Sequence, residues 1–308
     1  MRNNYEKSYN TMKGEVISTL KRILPNSILV EEIKNIKNGQ VLEGVSLRRE
    51  DENIAPCFYF NHFLEAYMDD IPAELISEKI LELYKEAIKE QRKININNIE
   101  DFEKQKENII FKIVNTEKNR ELLNNAPYFP LLDLSIIFSL KIDVPDCEGI
   151  GTMNITNQLM ELWEVDKRDL LELALVNTPK LLPIEIGYVT ELLLKQEINE
   201  VTFDEILDSI SETQADDLIY LRNKPQINGF SVLLYPDILK KLHNKIGSFY
   251  IIPSSIHEAL LLPWNDNVDI DYMRSLIQEV NENLVNEVEF LSDSLYFYNK
   301  ETQSISIC

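Results

Sequence analysis

Along this chain the apolar spacing switches repeatedly between the helical period and the alternating one, and the breaks carry hairpin signals more often than crossover units. The sharpest is Asn38-Gly39, a dipeptide suited to the left-handed conformations of a tight two-residue turn. It separates two alternating runs, 28–34 and 41–48, with a short third strand expected at 57–61. A stripe of Tyr9, Met12, Val16, Leu20 and Ile23 predicts a helix over 5–24, and Leu75, Ile76, Ile80, Leu83, Tyr84 and Ala87 predict another over 72–92. This pattern favours an α+β fold, with antiparallel or mixed sheets and amphipathic helices packed on them, over a doubly wound sheet.

Beyond an Asn- and Ile-rich stretch at 93–100, strands are expected at 109–115, 131–140 and 152–155, with a short helix over 117–123. Helices are expected at 158–163 and 167–177, the second capped by Asp166 and stopped by Pro179 and Pro183. Further strands are expected at 218–221, 230–234, 249–253, 258–262, 294–298 and 304–307, with helices over 236–246 and 269–284. The organisation expected is a helix-hairpin-helix α+β region over 1–95 and a second α+β region over 96–308, with one continuous domain as the other option.

The motifs that carry common chemistries are missing. No P-loop is present, and Gly149-Ile150-Gly151 lacks the third glycine of a dinucleotide turn. The three histidines, His62, His243 and His257, have no partner at zinc-site spacing, and Cys57, Cys147 and Cys308 are too scattered for a disulfide framework or a metal set. No cofactor and no metal are therefore expected. His243 is read as a surface or boundary residue, and Trp163, Trp264, Phe58, Tyr59 and Phe60 as core. No apolar run reaches the length of a membrane span, and none follows the N-terminal charges as a secretory signal would require. The expectation is a cytoplasmic protein with reduced thiols and no membrane association.

Charge narrows the partners. Against 31 Lys and Arg stand 52 Asp and Glu, a net charge of −21, so direct binding of nucleic acid is not expected. The acids cluster at 196–217, which has eight acids and no base, and at 266–293, with eight acids against Arg274 alone. Asp204, Asp208 and Glu212 fall at helical spacing. One reading of such runs is solvated helix faces; the other is mimicry of nucleic acid toward a protein that binds it.

The densest group of catalytic-type side chains is Ser254, Ser255, His257 and Glu258, with Asp293 a more distant candidate. As an enzyme site, a serine would attack, His257 would take its proton, and Glu258 would orient the ring. Neighbours on a strand point to opposite faces, so His257 and Glu258 are poorly placed to address one another. The plainer reading is a polar turn whose hydroxyls and imidazole bond to backbone.

Several segments resemble one known family. These are Glu161-Leu162-Trp163 leading to Leu173-Ala174 and Asn177-Thr178-Pro179, then Leu182-Pro183 and Leu233-Leu234-Tyr235-Pro236. Tyr250-Ile251-Ile252-Pro253-Ser254-Ser255-Ile256-His257-Glu258 and Leu291-Ser292-Asp293-Ser294-Leu295-Tyr296 complete the series. In order and spacing they are similar to a Firmicutes family known as domain of unknown function 5688, whose genes often sit among mobile-element genes. The resemblance implies no activity, ligand or catalytic residue. The expectation is a non-enzymatic accessory protein that binds a protein partner, with a hydrolase or small-ligand protein as the alternative.

Overall fold

The computed structural model describes residues 2–50, 55–91, 98–142, 150–190 and 218–308. The fold is α+β, and every strand pairing among these residues is antiparallel. The chain forms two compact units, one from Met1–Asn95 and the other from Ile96–Ile142 with Gly149–Cys308.

In the N-terminal unit, helix α1 (Arg2–Ile23) precedes strands β1 (Ile28–Lys37), β2 (Gln40–Arg49) and β3 (Cys57–Tyr59), followed by helices α2 (Asn61–Met68) and α3 (Ala73–Gln91). Asn38 and Gly39 both take positive φ, which makes the two-residue turn that pairs Lys37 with Gln40. The sheet order is β1-β2-β3, so β1 is an outer strand. Met12, Val16 and Leu20 of α1 pack with Ile76, Ile80 and Tyr84 of α3 and with Val45, Leu47, Phe58 and Phe60. Leu75, expected in the α3 stripe, is instead exposed, because the buried row Ile76-Ile80-Tyr84 advances by four and leaves it off the face.

The C-terminal unit holds two sheets. Strands β4 (Ile109–Asn115), β5 (Tyr128–Leu131), β6 (Leu134–Ile142) and β7 (Gly151–Asn154) form the smaller, with β6 central. Short helices α4 (Phe102–Gln105), α5 (Arg120–Asn125) and α6 (Asn157–Leu162) and the longer α7 (Lys167–Leu181) surround it in sequence. Asp166 caps α7 as expected, accepting from the N–H groups of Arg168 and Asp169 while Asp169 accepts from the N–H of Asp166.

Pro179 does not stop that helix, which runs to Leu181. Tertiary bonds outweigh the proline here. Thr178 Oγ1 donates to Ala174 O at 2.7 Å and accepts from the Phe111 N–H at 3.1 Å, and Asn177 Nδ2 donates to the carbonyls of Lys106 and Ile109. The bonds to Phe111, Ile109 and Lys106 tie the last helical turns to β4 and to the segment before it.

The larger sheet comprises β8 (Ile184–Tyr188), β9 (Ile219–Asn223), β10 (Phe249–Ser255), β11 (Glu258–Pro263), β12 (Tyr296–Asn299) and β13 (Ser304–Ile307), in the order β13-β12-β10-β11-β9-β8. Alternation sorts its side chains. Phe249, Ile251, Leu261, Leu221 and Tyr296 share a core with the smaller sheet and α7, while Tyr250, Ile252 and Leu295 form a separate cluster with Ile277 of helix α9 (Ile270–Asn283).

Residues 230–234, expected as a strand, form a 3-10 turn over Gly229–Leu234 followed by α8 (Ile238–Ile246). The chain turns at Asn228, which takes a positive φ, and is held close to the β10–β11 turn: a Cβ on Gly229 would lie 2.1 Å from His257 O, and the Phe230 N–H donates to Ile256 O. His243 is buried rather than superficial. It bonds the Tyr298 hydroxyl at 3.0 Å, and the two rings stack. Phe58, Phe60 and Trp163 are buried, Tyr59 is half-buried, and Trp264, expected in the core, is 50% exposed.

Candidate functional site

Strand register assembles a charged row at one end of the larger sheet. Arg222 of β9 pairs with Glu185 of β8 on one side and Glu258 of β11 on the other, so the three side chains are cross-strand neighbours. The guanidinium Nε and Nη2 donate to the two Glu185 oxygens, both at 3.1 Å, and Nη1 lies 3.7 Å from Glu258 Oε2. The Tyr220 ring lies 4.9 Å below it. Only 14% of the Arg222 side chain is exposed. Burial alone would pull its pKa down; the Glu185 hydrogen bonds, with the charges of Glu185, Tyr220 and Glu258, outweigh it and raise the value.

Beside this row lies the turn between β10 and β11. Ser254 Oγ donates to Glu258 Oε1 at 3.2 Å, and Ser255 Oγ accepts from the backbone N–H of His257 at 3.0 Å. The His257 ring accepts at Nδ1 from the Asn228 N–H at 3.4 Å, and its Nε2 lies 3.9 Å from Glu289. Four of the sequence candidates, Ser254, Ser255, His257 and Glu258, are thus close together. The bonds between them do not form a relay. Ser255 meets a backbone N–H rather than the ring, and Glu258 faces Arg222 and Ser254. Asp293 belongs to another setting, where it accepts from Asn281 of α9 at 2.8 Å.

A second polar cluster centres on Asp133, in the two-residue turn between β5 and β6. Its carboxylate accepts from the hydroxyls of Ser292 at 2.6 Å, Ser294 at 3.1 Å and Tyr296 at 2.8 Å. Burial above all, with a contribution from the Asp133 charge, pushes the Tyr296 phenol well above its usual pKa. Against Tyr296 lies a gap of about 20 Å³ lined by apolar side chains such as Ile113, Leu134, Phe230 and Ile251, room for roughly one water and too small for a metabolite. The cluster clasps the β5–β6 turn to the segment before β12. Sequence reasoning missed it because its members lie far apart in the chain and a turn aspartate attracts no notice.

The acidic run at 266–293 maps onto α9 and its flanks. Asp271, Glu279 and Glu282 are exposed there, and so are Tyr272 at 63%, Leu276, and Leu284 at 80% just past the helix end. Arg274 is engaged with Asp271 and with the Cys308 carbonyl. The run at 196–217, with Asp204, Asp208 and Glu212, lies outside the described residues, as does Cys147. Among the described residues no three His, Cys, Asp or Glu side chains group as a metal set, and no helix is long and apolar enough to cross a membrane.

A family model described as a family of unknown function matches residues 9–300. No curated protein and no solved structure matches the chain.

Proposed function

We infer, for a chain that belongs to the DUF5688 family of unknown function, a non-enzymatic role: it binds a protein partner through the acidic, partly apolar outer face of α9. The observation that carries this reading is the exposure of Tyr272, Leu276 and Leu284 among Asp271, Glu279 and Glu282. Large apolar groups held in water beside carboxylates suit a partner face that pairs basic side chains with apolar hollows. A hydrolase built on Ser255, His257 and Glu258 draws less support, since the hydroxyl, imidazole and carboxylate bond to groups other than one another. A cytoplasmic setting, and a place among mobile-element genes as the family resemblance implied, belong to the same proposal.

Two variants test it in pull-downs from host lysate eluted by salt. Glu279→Lys/Glu282→Lys reverses charge, and Tyr272→Ser/Leu284→Ser removes apolar contact. A prey lost by both supports the α9 surface. A prey lost only on charge reversal favours the nucleic-acid-mimic form, in which carboxylates alone are recognised. Prey retained by both variants, or no specific prey, overturns the reading.

A further inference from the structure

The N-terminal unit carries a concave surface of its own, and the inference drawn from it stands whether or not α9 engages a partner. The first half of α1 and the connection from α2 to α3 enclose an open groove of about 680 Å³, within the range of sites that hold several side chains. Tyr67 crosses it, donating its hydroxyl to Glu15 Oε2 at 3.0 Å, and that bond raises the phenol pKa. Met68 and Ile71 line the groove and Leu75 follows on α3; Met68 is 51% exposed, Leu75 52%, and Ile71 also faces water. Three large apolar side chains within eight residues are left out of a core that lies one helix face away.

The charges of the groove are unequal. Among the described residues, Glu15, Asp70 and Glu74 line it against Lys7 alone. Phosphates, whether of nucleic acid or lipid, are repelled by such a rim. A segment with apolar side chains flanked by Lys or Arg is complementary on both counts.

We propose that this groove docks a short cationic amphipathic segment of a partner protein, its apolar side chains on Met68 and Ile71 and its cations on Asp70, Glu74 and Glu15. None of the three acids is needed for the core. The Glu74 contact with Arg22, at 4.0 Å between exposed groups, contributes little to stability.

The test is fluorescence anisotropy on the full chain with three labelled peptides: one of leucine and lysine at amphipathic helical spacing, one with glutamate for lysine, and one with serine for leucine. Three variants, checked for native circular dichroism, are compared: Met68→Ser/Ile71→Ser, Asp70→Asn/Glu74→Gln, and the control Glu161→Gln/Glu164→Gln at two exposed acids away from the groove and from α9, which changes net charge as much as the second. The expected result is tightest binding of the leucine–lysine peptide, a loss of about tenfold or more in both groove variants, and a change within about twofold in the control. Equal weakening by the Glu161/Glu164 control would mean general attraction to an acidic protein. That outcome, unchanged binding in the groove variants, or equal affinity for the serine peptide would overturn the proposal.

Discussion

Replacing Arg222 with methionine removes the single cation between two carboxylates while keeping a side chain of similar reach. The loss of one partner from a buried ion pair costs about 3–5 kcal/mol, because the remaining charge is left desolvated and unpaired. Here the two acids keep some contact with water, Glu185 at 21% and Glu258 at 27% side-chain exposure, so the expected cost is about 2–4 kcal/mol. Arg222→Lys keeps the charge but loses the paired hydrogen bonds to Glu185, for an expected cost of about 1–2 kcal/mol. The triple change Glu185→Leu/Arg222→Met/Glu258→Leu removes cation and carboxylates together and is expected to fall within about 1 kcal/mol of the native chain. Urea melts followed by the fluorescence of Trp163 and Trp264, both in the same unit as the row, measure all three. A single-variant cost below about 1 kcal/mol, or a triple variant no better than the single, would refute the account of the row as a structural brace. It would point instead to an arginine held ready for a ligand.

Other expectations follow from groups placed above. Burial raises the phenols of Tyr235 and Tyr296 above the usual value of 10. The unfolded chain therefore releases these protons first, and their contribution, complete below pH 10, declines as pH rises toward the folded values. Urea melts between pH 10 and 11 should show stability falling by about 1 kcal/mol over that unit for each such phenol, the slope steepening as the unfolded phenol becomes fully ionised. Tyr235→Phe should remove one share; an unchanged slope would speak against it. Gly229→Ala places a Cβ 2.1 Å from the His257 carbonyl, and a thermal melt should show a loss of about 2 kcal/mol or more as the 3-10 turn is pushed off the β10–β11 turn. Thr178→Val keeps shape but strands the buried Phe111 N–H, with an expected cost of about 1–3 kcal/mol in urea, and amide exchange at Phe111 should accelerate.

Much of the fold was readable where a local signal matched the structure. Asn38-Gly39 marked the β1–β2 turn, Asp166 the start of α7, and Asp269 the start of α9. The signal failed where tertiary contacts chose the conformation. The β5–β6 hairpin turns through Leu132, at positive φ, and Asp133, a pair with no intrinsic preference for that geometry and held by hydroxyls from residues 292–296. Strand β8 is five residues long behind Pro183 and contains Gly187, so its pattern was too short to register. The candidate site divides in the same way. The Ser254–Glu258 cluster is contiguous and was visible, but Arg222, which binds Glu258 to Glu185, depends on register across three strands and left no mark in the sequence.

The order of strands in the two units also sets when each is complete during synthesis. In the N-terminal unit β1, β2 and β3 pair with their neighbours in sequence, so the sheet closes over short loops as soon as α3 has followed. In the larger sheet β10 lies between β11 and β12, and β9 pairs with β11 rather than with β10. Its middle stays unpaired on one side until residues near 296 have left the ribosome. Contacts that wait for distant partners form slowly and expose apolar strands in the interval. Tyr250, Ile251 and Ile252 of β10 therefore keep one open edge until β12 arrives, whereas β1, β2 and β3 have their partners by Tyr59.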